Sequence, residues 1–465
     1  MNARERRQLN RIFRFCVWAC LLISFQWLAG CSWREPDLPA SLPADSFTAL
    51  KQRVAAIHDL PFKRNVSQGA GISSVASNSF EANFAGEPDA ELIPRLAQVY
   101  KRIGLLPEGT DLAKALVEFH RLQRFVFYDG STDTISLAPE SVKLGRALSD
   151  SDNRRAETLP QVFALTNALQ NQNFPWPSKI AFIPAEDRRL SFQAVAGGDV
   201  VLTALAYLGG NRPAQSSAQL QAVSRLVNKL NSLASGLPAM LRERLIFPYR
   251  EGSQFVQWGY AAQGFAGVNA LFVNPPLSTA QVMHPEKFYI RRQNPLRITA
   301  WGLIEQMKTG AIIERTLGEY LTQWLLTSAH SRSEAARIAS AWTGDHLSVY
   351  AEGESLTTCW LTAWNNETNA QEFFRAYGAV LTRQRGLRLQ TSVGSKNGLK
   401  AEVAGGTTTL LQVRGSLVLF LDGVESAQAS DLAEQIWQDL ETGPESTNFP
   451  FDTAHRGRQL ASRRR

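Results

Sequence analysis

The chain has 465 residues, of which 44% are hydrophobic and 20% charged, and its 24 Phe, 11 Trp and 9 Tyr can fill a large core. This composition excludes intrinsic disorder for most of the chain, and the length corresponds to about three domain-sized units. The net charge of +7 comes from the ends: leaving out residues 1–30 lowers it to +3, and leaving out the five arginines of residues 456–465 lowers it to −2. The near-neutral body lacks the basic face that a nucleic-acid-binding fold needs, so we expect no nucleic-acid partner.

The N-terminus has the order of elements found in a secretory signal. Five arginines precede a mostly apolar run from Phe15 to Ala29, which is shorter than a typical membrane span and is interrupted by Ser24 and Gln26. The run ends in Leu28-Ala29-Gly30-Cys31 and resembles a bacterial lipobox. This resemblance implies that the lipoprotein signal peptidase removes residues 1–30 and that Cys31 carries the lipid. The alternative is an uncleaved N-terminal anchor helix.

The residues after Cys31 indicate which membrane the lipid would enter and how the fold is attached to it. Ser32 follows the cysteine in place of Asp, which by resemblance to lipoprotein sorting favours the outer membrane, facing the periplasm. The proline-containing segment 31–45 is interpreted as a tether between the lipid and the fold. Cys359 is the one cysteine of the body and lies in an alternating stretch. We interpret it as a buried structural residue in a strand.

Helical periodicity dominates residues 46–290, which we predict to form the core domain. A hairpin is predicted from strands 125–128 and 134–137, which flank Asp129-Gly130. The predicted helices cover 46–58, 88–102, 112–123, 159–173, 194–208, 218–234, 238–246, 250–262 and 264–273.

The last third of the chain changes character and is predicted to form a smaller α+β part over residues 291–442. Its predicted strands are 346–351, 356–364, 407–413 and 417–421, and its predicted helices are 317–326, 368–382, 427–440 and one that begins at the capping box Ser331 to Glu334. Residues 443–465 are predicted to be a basic, disordered tail. The predicted fold class is therefore α+β, mainly helical, with a small antiparallel sheet in the core.

Several separated blocks resemble a family of bacterial secreted or lipid-anchored proteins with a zincin-like, gluzincin-type metallopeptidase core. Residues 163–174 read F-A-L-T-N-A-L-Q-N-Q-N-F, where that family has H-E-L-T-H-A-L-Q-D-Q-H-F, and Gly197-Gly198-Asp199 stand at its E-G-D. The resemblance extends from about 46 to 440. Its other blocks are at 128–129, 247–257, 275–287, 344–345 and 364–373.

The departures from the family pattern fall on the reaction centre. A zincin needs two imidazoles one helical turn apart, a glutamate that takes a proton from the metal-bound water, and a third ligand. By the resemblance, Phe163 and Asn167 stand at the two imidazole positions, Ala164 at the glutamate and Gly197 at the third ligand. None of the four is a good zinc ligand or a base, so we predict no catalytic residue, no metal and no other cofactor at this site.

Four further residues are candidates for the cleft that the resemblance implies: Asp199, Tyr249, Glu251 and His284. For each of them a structural role remains the alternative. We therefore predict a lipid-anchored envelope protein with an inactive metallopeptidase-like scaffold, which attaches to the membrane through its lipid and binds an unknown envelope protein or peptide. Two alternatives stay open: a hydrolase or peptidase that uses a non-standard site in the same cleft, and a carrier of apolar ligands.

Overall fold

The structure, a computed structural model, describes residues 46–69, 90–149, 154–174, 185–210, 216–307, 310–391, 397–403 and 405–445. The predicted signal peptide, Cys31, the tether and residues 446–465 of the predicted tail lie outside the described residues. The described part of the chain belongs to one compact unit. It combines many helices with small antiparallel sheets and a larger sheet near the C-terminus, which confirms the predicted α+β class.

The helices of residues 47–289 pack around two long helices, Glu186–Leu208 and Ala239–Val273. In chain order they are α1 (Phe47–His58), α2 (Ile93–Arg102), α3 (Leu112–Gln123), α4 (Pro139–Leu148), α5 (Arg154–Glu157), α6 (Leu159–Asn173), α7 (Glu186–Leu208), α8 (Ser216–Leu233), α9 (Ala239–Val273), α10 (Thr279–Met283) and α11 (Glu286–Tyr289). The predicted bounds of α3 and α6 are confirmed to the residue.

The helix α7 begins eight residues before the predicted start at 194. Its first turn holds Glu186, Asp187 and Arg188, and all three are buried. Two carboxylates in a first turn suit the positive end of the helix dipole, but charged residues there hide the apolar periodicity. Among the described residues, α7 alone is long and apolar enough to cross a membrane, and 83% of its most apolar window is buried inside the fold. It is therefore the core helix of the unit.

The helix α9 joins the first two of the three helices that were predicted over 238–273, while the predicted boundary at residue 263 is confirmed by non-helical backbone angles at Gln263 and Gly264. It continues through Pro248 and bends sharply at Gln263 and Gly264, where Gly264 has a φ of +60°. Beyond the bend the chain folds back on itself. The backbone at Gly267 then lies so close to the carbonyl oxygen of Gly259 that a side chain at Gly267 would collide with it. The glycines at both positions permit this close backbone approach.

A small sheet packs beside α6. It consists of β1 (Ser67–Gln68), β2 (Val126–Asp129) and β3 (Thr134–Leu137), with β2 antiparallel and β1 parallel to β3. The predicted hairpin is confirmed. Gln172 at the end of α6 donates to the hydroxyl of Tyr128 over 3.2 Å, so the sheet fixes the C-terminal end of this helix.

The C-terminal part contains a seven-stranded antiparallel sheet in the order β5-β6-β7-β11-β10-β9-β8. Its strands are β5 (Ile313–Arg315), β6 (Trp342–Glu352), β7 (Ser355–Trp364), β8 (Gln390–Thr391), β9 (Gly398–Val403), β10 (Thr407–Arg414) and β11 (Leu417–Glu425). The helices of this part are α12 (Trp301–Gln306), α13 (Gly318–Leu326), α14 (Arg332–Ala339), α15 (Glu367–Arg385) and α16 (Ala429–Gln438).

The two faces of the large sheet bury different clusters, as the alternation of its strands requires. One face packs on α15 through aromatic rings, including Trp360 against Tyr377 at 5.3 Å, and joins the main core. The other face, with Leu419 and Leu421, packs on α16 and α12. Cys359 lies on this second face and is buried, as predicted for a structural cysteine, and burial raises the pKa of its thiol to about 12.

A two-stranded ladder joins the start of the C-terminal part to its end. It pairs β4 (Leu296–Ala300) with β12 (Leu440–Pro444), and the Glu445 N–H donates to the carbonyl of Pro295 over 2.8 Å. The prediction that disorder begins at 443 was therefore wrong for residues 443–445. The Gly443-Pro444 pair argues against a strand in the sequence, but an edge position tolerates proline.

Candidate functional site

The positions that the family resemblance assigns to the first imidazole and the glutamate lie inside the core. Phe163 and Ala164 on α6 are both fully buried. The ring of Phe163 packs edge-on against Phe125, with centroids 6.2 Å apart, and Phe125 lies 5.9 Å from the ring of Tyr249 on α9. An aromatic cluster therefore connects α6, the start of the hairpin and α9 at this point.

The position assigned to the third ligand faces α9 at close range. A Cβ atom at Gly197 would lie 2.8 Å from the Cβ of Pro248 and 3.1 Å from its carbonyl oxygen. One residue later, a Cβ at Gly198 would collide with the backbone of Gly252. Because the two helices approach through glycine, α7 offers no room at 197 for a carboxylate side chain in the present packing.

The residues at this site do not fit a zinc ion. A structural or catalytic zinc takes imidazole, thiolate or carboxylate ligands, whereas the relevant side chains here are a phenyl ring, a methyl group and a hydrogen. Asn167, at the second imidazole position, is half-buried, and its carbonyl accepts a hydrogen bond from the Asn171 amide. Across the described ranges, no group of three or more His, Cys, Asp or Glu side chains could hold a metal ion. We derive no reaction step through a metal.

Asp199, which the resemblance places at the last position of the E-G-D block, belongs to a buried polar network. Its carboxylate accepts from the Gln170 amide of α6 over 2.8 Å and from the Thr203 hydroxyl over 3.3 Å. The His58 imidazole lies 3.4 Å from Asp199 and 2.8 Å from the Thr203 hydroxyl. Asn269 closes the network by donating to the carbonyl of His58.

This network binds α1, α6, α7 and α9 together. Asp199 is fully buried, and the burial raises the pKa of its carboxyl group, an effect that the nearby His58, Gln170 and Thr203 oppose. His58 is also buried, at 2% exposure. A buried and mutually satisfied set of polar groups fixes the relative positions of helices. The geometry therefore assigns Asp199 a structural role.

His284 lies in a different network, at the end of α10. Its Nε2 is 2.6 Å from Oε1 of Glu319, and the Lys287 ammonium donates to the other oxygen of that carboxylate over 3.4 Å. Glu319 is buried at 1% exposure, while the His284 side chain is 28% exposed. The partner of the His284 imidazole is therefore a carboxylate that follows it by 35 residues. An imidazole oriented by a buried carboxylate is an arrangement that general acid–base catalysis uses.

Glu251 and Tyr249 take part in neither of these hydrogen-bonded networks. The Glu251 carboxylate accepts from Nε of Arg250 over 2.8 Å. Arg250 also donates to the Tyr320 hydroxyl over 2.9 Å, and Tyr320 in turn donates to Glu243. Tyr249 is half-buried, and burial raises the pKa of its hydroxyl group.

The three ionisable candidates therefore do not converge. Asp199, Glu251 and His284 each bond to a separate set of partners, and none of the three contacts another. The sequence reasoning missed Glu319 and gave His58 no role. No local signal could have found these partners, since Glu319 follows His284 by 35 residues and Thr203 follows His58 by 145.

The sequence analysis also missed two buried aspartates, one on β6 and one on α7, that pack against the start of α13. Asp345 on β6 accepts from the backbone N–H groups of Leu317 and Gly318 and from two tryptophan indoles. Asp187 on α7 accepts from the backbone N–H and the hydroxyl of Thr279. A Cβ atom at Gly318 would collide with the Asp187 carboxylate. These contacts join the core helices to the large sheet and have a structural role.

Comparison with known proteins adds one match. Residues 305–433 match a domain of unknown function, DUF8575, which covers less than a third of the chain and includes all seven strands of the large sheet. No curated protein matches the chain. No solved structure matches it either.

Proposed function

We propose that this chain is a lipid-anchored protein of the cell envelope, on the periplasmic face of the outer membrane, with a non-catalytic binding or assembly role. In this proposal its metallopeptidase-like core is a scaffold. The observation that carries the proposal is the packing of Phe163 and Gly197. The Phe163 side chain is fully buried, and Gly197 packs directly against Pro248, so neither of these two positions, which the resemblance assigns to metal ligands, offers a ligand or room for one.

The separate hydrogen-bonded networks further support a scaffold. Catalysis requires groups within hydrogen-bond reach of one reacting atom, whereas Asp199, Glu251 and His284 bond to separate sets of partners. The Asp199 network and the α7–α9 contact through glycines hold the helices in fixed positions. Such a rigid body suits a protein that presents a surface to a partner.

We expect the full, tagged chain to copurify with a reproducible envelope partner from detergent-solubilised membranes. His284→Gln should recover the same partner in the same yield, since the proposal gives the His284–Glu319 pair no chemical role. His330→Gln is the matched control, because His330 bonds to the carbonyl of Ala376.

Two results would count against the proposal. One is recovery of the chain alone in repeated preparations. The other is hydrolysis of envelope peptides that His284→Gln abolishes and His330→Gln preserves, which would establish the hydrolase alternative.

A further inference from the structure

We propose that the bend of α9, together with Ile290 after α11, is the face with which the body lies on the phospholipid bilayer. We call this the bend face and define it by Trp258, Ala261, Ala262, Ile290 and Arg291. The inference rests on the proposed membrane attachment and adds to it the surface that contacts lipid.

The first observation is an exposed apolar cluster. Trp258 is 45% exposed and Ile290 is 74% exposed. The ring of Trp258 stacks on Tyr289, with centroids 6.0 Å apart and planes inclined by 15°. Ile290 is the residue after Tyr289, so the two exposed side chains belong to segments that are in contact. Adjacent exposed apolar side chains of this size mark an interaction surface, whereas single ones do not.

The second observation is the absence of charge in the part of α9 that follows Glu251. The sequence has no charged residue between Glu251 and His284, a stretch that contains the whole bend. Ala261, Ala262, Gln263 and Ala266 at the bend are exposed. An exposed helical turn in a water-soluble protein normally carries charged side chains, and their absence here favours contact with a less polar medium.

The third observation is positive charge at the edge of the cluster. Arg291 follows Ile290 and is exposed, and Arg292 packs over the ring of Phe288 at 4.7 Å. Tryptophan, an aliphatic side chain and arginine together are the composition of elements that lie in the headgroup region, where arginine meets anionic lipid and the indole reaches the acyl boundary.

The fourth observation is the length of the segment between Cys31 and α1, which decides whether the bend face can reach the bilayer. If Cys31 carries the lipid, residues 31–45 span at most about 50 Å when extended. The chain then enters α1, whose twelve residues cover about 18 Å and whose last residue, His58, contacts Phe265 just after the bend. The tether is therefore long enough for this face to reach the membrane.

The test uses the full chain, purified with its lipid and placed in vesicles of phosphatidylethanolamine and phosphatidylglycerol. Ile290→Cys carries a maleimide probe that responds to polarity. The control is Leu220→Cys, at another exposed aliphatic residue, on α8, that is 55% exposed. Cys359 is buried and does not compete for the label. We expect a blue shift and quenching by brominated lipid at 290, and neither at 220.

The outcomes separate the two claims. If the protein fails to float with the vesicles, the membrane attachment is wrong and the inference falls with it. If it floats but the probes at 290 and 220 respond alike, the attachment stands and the bend face is wrong. A blue shift at 290 that persists without vesicles and is not quenched by brominated lipid identifies a protein contact and also overturns the inference.

Discussion

Replacing Phe163 by alanine should lower the free energy of unfolding by about 3–5 kcal/mol, the range for deletion of a large buried side chain that leaves a cavity. Phe163 is fully buried and packs on Phe125, so its ring has no solvent-facing alternative. The measurement is denaturant unfolding of wild type and variant, followed by circular dichroism and by tryptophan fluorescence.

The control for this prediction is another phenylalanine of the same region. Phe127 on β2 is 39% exposed, so Phe127→Ala should change the free energy of unfolding by roughly 0.5 kcal/mol or less. Equal, small effects for both variants would mean that Phe163 does not fill the core. In that case position 163, which the resemblance assigns to a metal ligand, would border an open cavity.

Replacing Gly197 by glutamate, the residue that the resembled family carries there, should destabilise the protein by about 4 kcal/mol or more. The Cβ alone would lie 2.8 Å from the Cβ of Pro248, and the rest of the side chain would have to separate α7 from α9. A newly buried carboxylate without a partner adds a further penalty. Gly197→Ala isolates the steric part and should cost about 1–3 kcal/mol.

Gly236 provides the matched position for this series. A Cβ there meets no atom within 4 Å, so Gly236→Glu should leave the free energy of unfolding within roughly 0.5 kcal/mol of wild type. The explanation fails if Gly197→Glu unfolds at the same denaturant concentration as wild type, because the two helices would then have room for the ligand.

The parts of the fold that the sequence predicts well have a regular local pattern. The helix α6 was predicted to the residue because Val162, Leu165 and Leu169 repeat at helical spacing. The β2–β3 hairpin was predicted from two short β-forming runs around Asp129-Gly130. In both cases the pattern that packs the element is contained within it, so tertiary contacts reinforce the local preference.

The parts that were mispredicted depend on distant contacts. The start of α7 was missed because its charged first turn is buried against other elements, where Glu186 accepts from the hydroxyl of Tyr100 over 2.7 Å. The ladder between β4 and β12 joins segments about 140 residues apart and ends in Gly443 and Pro444. Short-range patterns carry no information about such pairings.

The candidate site also has residues that the sequence analysis identified and partners that only the structure shows. The positions 163, 164, 167 and 197 were assigned by the family resemblance, which compares residue types block by block along the sequence. The partners of Asp199 and His284 were not, since His58 and Glu319 reach them only through the folding of separate helices. Local sequence patterns therefore carry little information about which distant residues hydrogen-bond to the buried polar side chains.

The metal content of the purified full chain tests the central claim most directly. The protein is incubated with a molar excess of zinc, passed into metal-free buffer, and analysed for zinc and protein together. Because Phe163, Ala164 and Gly197 offer no donor and are closely packed, we expect only substoichiometric zinc that a weak chelator removes. One tightly held zinc per chain, retained against that chelator, would contradict the account.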